Sequence, residues 1–587
     1  MSTHAWWRSV RDKPLAAFGR LRQLTPSGLW RGAGLGLLAV AAAGAGLGFH
    51  ALTAFIERQT LGRLLAAGPQ VFLWGSLLCV LAGSALASGL IAGFAPAAGG
   101  GGVLPVKLAF WRDFGVLRFR EAAVKLVASA ITLGSGTSLG PEGPSIQIGA
   151  ATMSAAAGAA GVARPARRVW CAAGAAAGLA AVFNAPLAAI VFVLEEIIGD
   201  LHSRLIGSVV VAAVVGALLS HAVLGTQPAF QTLPLGEIRW GVWALVPVVA
   251  LLAATAGAGF QKSGLALRAG LRRHAPGAAY WPLLGALLTW AAGSVVYLLC
   301  GRTGIFGIGY GDITAAIAGQ LTLGTAALLL LGKLLATAGA FGAGSCGGIF
   351  APSFFLGAMA GAAVSGAVAL ASPLSPGEGA MLVMAGMAAS LGAVIRMPLT
   401  CVILIFEVTN QWVIVPALML AVLVSQGVSR LINRHDLYAE TLRQNGLDPN
   451  QVLPPRHFKR WREIPVSALA TFRPAVAEAL APAALRELLA RTPHQFYPVI
   501  EATGEVYGVL PRREAELAIA HVSYTPRLAP PQWIAAKATV GEARQRLLQS
   551  GADFLCVGDA TTRRLHGVLT LHDLLRGESV LEDEAAV

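Results

Sequence analysis

Glu142 is the residue whose surroundings demand a chemical explanation. It stands in Gly140-Pro-Glu-Gly-Pro144, and no other charged residue lies between Lys125 and Arg164. A lone carboxylate in so apolar a run is expensive inside a bilayer, and the usual reason to keep one is a substrate or proton path. Glycine and proline on both sides break a helix, and Pro144 suits the first position of a new one. A broken helix at membrane depth is tolerated where its backbone lines a cavity. Its exposed N–H groups and positive dipole end then attract an anion. Glu142 at that end is a tethered anion that competes with a free one. A Gly/Pro-rich loop outside the membrane, carrying an ordinary exposed glutamate, is the alternative.

The chain that must position this residue has 587 residues, 55% of them hydrophobic and 13% charged. Soluble domains carry about 25% charged residues, so most of this chain belongs in lipid. Seventy glycines fit closely packed membrane helices. The net charge of +14 comes with no basic patch interleaved with aromatics, so nucleic acid is not an expected partner and the lysines and arginines read as cytoplasmic. The six cysteines are scattered singly, without the spacing of a metal site, a redox pair or a disulfide frame. No metal and no enzymatic cofactor are expected.

Residues 1–31 are basic and aromatic, and read as a cytoplasmic, interfacial segment. An uncharged span follows from Gly32 to Phe55. The uncharged run 64–106, interrupted by glycines and Pro69, is long enough for about two crossings at roughly 20 residues each. Later runs to residue 429 are too long or too broken for straight single helices, and nothing large is expected outside the membrane before residue 440. The segment 441–462 is polar and proline-containing, a linker. It leads to a soluble domain at 463–587.

The membrane region repeats itself. Pro144-Ser-Ile-Gln-Ile-Gly-Ala150 matches Pro352-Ser-Phe-Phe-Leu-Gly-Ala358, and Ala177-Gly-Leu-Ala-Ala181 matches Ala385-Gly-Met-Ala-Ala389. Further on, Pro186-Leu187 with Glu195 matches Pro398-Leu399 with Glu407, after a four-residue insertion near Leu391 to Ile395. The repeats span about 32–225 and 235–430. Such duplication is typical of transporters, whose site lies at the repeat interface near the midplane, between broken helices in corresponding positions. Here those breaks are 140–144 and Gly344-Ser-Cys-Gly-Gly-Ile-Phe-Ala-Pro352. If the repeats are inverted, two positive helix ends meet around one anion.

These motifs resemble those of the CLC chloride channels and chloride/proton antiporters, over most of residues 32–440. Gly140-Pro-Glu-Gly-Pro144 is similar to that family's gating-glutamate motif, with Pro141 where arginine is usual. Gly347-Gly-Ile-Phe-Ala-Pro352 is similar to the third signature, and Gly332-Lys333 with Thr337 to the G-K-x-x-x-T lead-in. The resemblance implies that Glu142 is the outer gate and Glu196 the inner proton-transfer residue. It implies that Gly102, Gly143, Ile349, Phe350 and Tyr438 surround the anion. Gly101-Gly-Val-Leu-Pro105 stands where the family has G-S-G-I-P, so Gly102 replaces an anion-contacting serine. That leaves chloride, nitrate and fluoride open.

Other charges have plainer readings. Glu195 and Glu196 point about 100° apart on a helix and do not share one path. Glu195 and Glu407 occupy equivalent repeat positions, which suggests a structural role at a helix end, whereas Glu196 is unmatched because Val408 follows Glu407. Lys333 and Arg396 are expected to pair with carboxylates or reach an interface, and His50 and His221 to be interfacial.

In the soluble part, strand signals at 496–500, 506–510, 553–557 and 565–569 follow helical patterns at 482–491 and 540–550. This resembles a tandem pair of cystathionine-β-synthase-type (CBS) domains. Thr570 and Asp573 keep the residues that hold a nucleotide ribose in binding members, and Pro511 and Glu514 replace them in the first half. An adenine-nucleotide sensor and a purely structural pair both fit.

The expectation is therefore an all-α polytopic membrane protein of duplicated, inverted repeats with broken helices, followed by a cytoplasmic α/β CBS pair. It is a homodimer in the inner cell membrane with both termini cytoplasmic, exchanging chloride for protons. A gated chloride channel is the runner-up, and a membrane-tethered nucleotide sensor a third reading.

Overall fold

In hydrocarbon every backbone N–H and C=O must be bonded within its own segment, so the apolar runs become helices. The computed structural model describes residues 27–447 and 464–576, apart from 202, 204, 231–234, 275–278, 473, 522 and 551. The basic segment 1–26 and most of the expected linker lie outside the described residues. Among those described, nine helical stretches are long and apolar enough to cross a membrane.

The first repeat contains α1 (Ser27–Glu57), α2 (Pro69–Phe94), the short α3 (Val103–Arg112), α4 (Phe119–Gly134), α5 (Glu142–Ala159), α6 (Arg167–Phe183), α7 (Pro186–Phe192) and α8 (Ile206–Leu224). The run 64–106, expected to hold two crossings, holds one, α2. A 3-10 turn at Pro96–Ala98 and the irregular Gly99–Gly102 take the rest, because glycine and proline in close succession stop a second helix. The second repeat contains α9 (Val246–His274), α10 (Trp281–Cys300), α11 (Tyr310–Ile317), α12 (Leu323–Gly342), α13 (Phe350–Ala369), α14 (Pro376–Ile395), α15 (Pro398–Thr409) and α16 (Val415–Ile432), and α17 (Leu437–Gln444) follows it.

The duplication is visible in side-chain and backbone bonds that come in reciprocal pairs. Gly140 and Gly348, 208 residues apart in sequence, form an antiparallel bridge and exchange both hydrogen bonds (2.8 and 2.6 Å). Ser129 meets Cys346 at 3.2 Å, and their equivalents Thr337 and Ser138 meet at 3.1 Å. Glu195 accepts hydrogen bonds from the backbone of Leu399 and Thr400 at the start of α15, while Glu407 accepts from Leu187 and Ala188 at the start of α7. Each half therefore caps a helix of the other across a pseudo-two-fold axis near the Gly140–Gly348 pair. The helix-end role expected for Glu195 and Glu407 takes this form.

The same logic packs the core. Gly149 and Gly178 touch backbone to backbone, and so do their equivalents Gly357 and Gly386. A Cβ on any of the four would run into the neighbouring helix. Small residues allow this approach where no hydrophobic effect drives helices together. The helix α14 is buried from Gly377 to Ile395, and its extra length relative to α6 accommodates the insertion.

The chain divides into two units, ending at Leu453 and beginning at Pro454. The second unit is α/β: β1 (Thr471–Phe472), α18 (Pro482–Arg491), β2 (Phe496–Ile500), β3 (Val506–Pro511), α19 (Arg512–Ala520), β4 (Trp533–Ile534), α20 (Val540–Ser550), β5 (Phe554–Asp559) and β6 (Arg564–Thr570). Antiparallel β2–β3 stands apart from a sheet of order β1-β6-β5-β4, in which only β4–β5 is parallel. Val506, Val509, Phe554, Cys556 and Val568 form the apolar contact between its two halves.

Candidate functional site

Two helix N-termini converge on Glu142. The broken strand at Gly140 frees the chain to begin α5 at Glu142 itself, with Pro144 inside the first turn, where the missing N–H costs nothing. The carboxylate is completely buried. Its Oε1 accepts a hydrogen bond from Ala351 N, in the first turn of α13, at 2.6 Å. Its Oε2 has no partner. An anion with one oxygen on the dipole end of the other repeat, and one oxygen unoccupied, can be replaced by a free anion or take a proton.

Cavities lie on both sides of this turn. One, of about 530 Å³, is lined by Gly102 and Gly143, by Ile349 and Phe350 at the start of α13, and by Tyr438 in α17. All five residues expected around the anion thus share one cavity. The Tyr438 hydroxyl is buried without a partner, as is the Ser345 hydroxyl in the same wall. The other cavity, of about 480 Å³, is lined by Pro141, Tyr310, Glu57, Asp312 and His50. His50, expected at an interface, therefore belongs to a cavity wall. Pro141 faces one cavity and Gly143 the other, so the Glu142 turn is the partition.

Gly102 does more than omit a hydroxyl. It precedes α3 with φ of 97°, and a Cβ there would overlap the Gly143 carbonyl. The site needs glycine for its backbone, and serine does not fit as a simple restoration. Lys125, wholly buried, fixes this loop by donating to the carbonyls of Ala98 and Gly100. Its repeat equivalent Lys333 donates to Gly304 and Gly307, both at 2.8 Å. The expected carboxylate partner of Lys333 is thus replaced by carbonyls of an irregular loop. Arg396 likewise reaches carbonyls, of Ser429 and Asn433, at the end of α16.

Glu195 and Glu196 diverge. They lie in a π-helical segment, Val193–Ile198, after α7. Glu195 turns to α15 through Thr400 (2.7 Å to the hydroxyl), whereas Glu196 is buried and accepts from Lys107 Nζ at 2.6 Å. Trp111 of α3 also donates to the Ile197 carbonyl at 2.9 Å. Lys107, the partner of Glu196, is a residue that the sequence reading did not single out. Its signal was that it ends the uncharged run after Pro105, on the helix that follows Gly102. One short helix therefore touches the cavity at its start and Glu196 at its centre.

In the second unit, Thr570 and Asp573 bond each other: Thr570 Oγ1 and N donate to Asp573 Oδ2 (2.7 and 3.0 Å), and Asp573 N donates to Thr570 Oγ1 (3.1 Å). This is a capping box. Glu514, at the matching place in the first half, accepts from Arg527 N–H and the Tyr524 hydroxyl, which hold its carboxyl below the usual carboxylate range.

Comparison with known proteins agrees with this architecture. A relative from Salmonella paratyphi A, described as "H(+)/Cl(-) exchange transporter ClcA", is 29% identical over 418 residues, covering 68% of this chain and 85% of its own. The fold matches a slow cyanobacterial Cl-/H+ antiporter (TM-score 0.63, 24% identity, 72% of this chain and 98% of that one). It also matches a CLC-type fluoride/proton antiporter (TM-score 0.59, 19% identity, 71% and 98%). At these identities the two structures speak for the fold alone, and a fold shared by chloride and fluoride transporters does not select the anion. The family described as "Voltage gated chloride channel" matches residues 83–430, which hold both broken helices, Glu142, Lys107 and Glu196, and the chain belongs to that family.

Proposed function

We propose that this protein exchanges chloride for protons across the cell membrane. The observation that carries the reading is the buried Glu142 partition between two cavities, with its carboxylate on the helix end of the opposite repeat. An ionised Glu142 and a bound anion compete for the same positive helix ends, because both carry one negative charge. Protonation removes that competition and lets the side chain leave, so an anion moving one way is exchanged for a proton moving the other. Protons need titratable stations in hydrocarbon. Glu142 serves the Pro141-side cavity, taken as external. Glu196 is the station toward the cytoplasm, and Ile349, Phe350, Gly102, Gly143 and Tyr438 hold the anion between them.

The Salmonella relative's described H(+)/Cl(-) exchange supports chloride as the anion. The Lys/Arg-rich N-terminal segment supports a cytoplasmic N-terminus. The family resemblance alone carries homodimeric assembly and an adenine nucleotide at Thr570 and Asp573.

The Lys107–Glu196 ion pair favours a second reading, a gated chloride channel, in which Glu196 stays ionised and carries no proton. Purified protein in liposomes, with external chloride and pH recorded together, separates the two. Proton uptake that tracks chloride release supports exchange. Chloride flux under a pH gradient without proton movement rejects exchange and leaves the channel.

A further inference from the structure

The cavity on the Pro141 side of Glu142 has a titratable wall. His50, Thr53, Ala54 and Glu57 of α1 all line it, at the spacing of three, four and seven that shares one helix face. α1 leaves the basic N-terminal segment and runs toward Glu57, so Glu57 lies farther from the cytoplasm than His50. His50 sits seven residues deeper, roughly 10 Å along the helix. The cavity has room for a chain of water molecules, and its lining includes Pro141, the neighbour of Glu142.

The other charged or titratable groups facing this space are committed elsewhere. Asp312 of α11 is buried, pairs with Arg302 (3.2 Å) and accepts from the Gly304 N–H (2.9 Å). Arg58 donates through Nε to the Ala54 carbonyl (3.2 Å), and a guanidinium does not give up its proton in a protein. The Tyr310 phenol is too weak an acid, with an ordinary pKa of about 10. Lys333 of α12 holds the loop at Gly304 and Gly307 from behind, and its charge reaches Glu57, Asp312 and Glu142 alike. His50 and Glu57 carry no hydrogen bond of that kind among the described residues. An imidazole is also the side chain that changes charge between pH 5 and 8 when unperturbed.

We propose that His50 relays protons between external water and Glu142, with Glu57 as the collecting carboxylate nearer the outside. The proposal rests on the exchange reading above and adds the outer proton route to it. A proton from external water makes Glu57 a carboxylic acid, passes through cavity water to a ring nitrogen of His50, and leaves the imidazolium for the partnerless Oε2 of Glu142. Each donor returns to its starting form, and Glu142 departs as a neutral acid. His50 and Glu57 set the rate of proton supply, whereas Glu142 sets the exchange ratio.

The test is proton-coupled chloride flux from liposomes containing the full chain, with external pH varied from 5 to 8. His50→Gln is expected to slow exchange roughly tenfold at neutral pH, less than the ~100-fold or more of a positioned acid–base group because cavity water offers a parallel route. The proton-to-chloride ratio stays at the wild-type value. The deficit shrinks toward pH 5, where hydronium is abundant, and imidazole added to the external buffer restores the rate. Glu57→Gln acts in the same direction and more weakly. In a Glu142→Gln background, which needs no proton, His50→Gln leaves chloride flux unchanged. His50→Gln that exchanges at the wild-type rate across this pH range overturns the proposal. So does a deficit that is equal at every pH, ignores imidazole and persists in the Glu142→Gln background. Wild-type protein that moves chloride without protons would instead defeat the underlying exchange reading.

Discussion

The two repeats share a scaffold and differ in charge. Gly140 and Gly348 pair with each other, Lys125 and Lys333 each hold an irregular loop by its carbonyls, and Glu195 and Glu407 each cap a helix of the opposite half. At the same time Glu142 faces Phe350 in the alignment of the halves, and Glu196 faces Val408. What the repeats have in common builds the structure, and the proposed proton path lies entirely where they differ. A symmetric site would bind an anion equally from both sides, whereas coupling requires a titratable group at one helix end and an apolar residue at the other.

The largest break in that asymmetry is Glu142→Gln, which makes the first repeat neutral like the second. Proton movement should fall below detection and anion flux should persist without pH dependence, both read in the liposome assay. Proton-coupled flux at the wild-type rate in this variant would remove Glu142 from the mechanism.

Next comes the buried pair. Lys107→Met leaves the Glu196 carboxylate buried without its cation, and breaking a buried ion pair on one side typically costs ~3–5 kcal/mol. A lower unfolding temperature is expected, and adding Glu196→Gln should recover most of it, which a double-mutant cycle measures. Glu196→Gln alone should stop proton movement and spare anion flux. If the double variant is no more stable than Lys107→Met, the pair is not the reason for the loss.

A smaller effect is expected at Gly102, and of a different kind from a selectivity change. Serine there must adopt a left-handed backbone and push against the Gly143 carbonyl, with a strain of ~1–3 kcal/mol. Reduced folded yield or thermal stability is expected, together with slower flux of every anion tested. A stable Gly102→Ser protein with a reordered anion series would show that the loop relaxes.

The smallest effects are the symmetric ones. Glu195→Ala and Glu407→Ala each remove a cross-repeat cap, worth ~1 kcal/mol in either half. Both should lower thermal stability by similar amounts and leave the proton-to-anion ratio unchanged. Loss of coupling in Glu195→Ala alone would make this pair functional and break the parallel.

The sequence by itself determined the membrane class, the duplication, the broken helices and the residues around Glu142. Hydrophobicity, glycine and proline act locally, and a repeat keeps its own spacing. Helix geometry and the repeat together also predicted that Glu195 and Glu196 point to different surroundings. Only the tertiary structure decided which groups meet. Lys107 finds Glu196 from 89 residues away, and Glu142 finds Ala351 from 209. Lys333 takes carbonyls instead of a carboxylate because an irregular loop, not a side chain, lies across from it. The left-handed backbone at Gly102 goes with its close approach to the Gly143 carbonyl. No local pattern encodes such contacts, since a buried polar group is satisfied by whatever the fold brings to it.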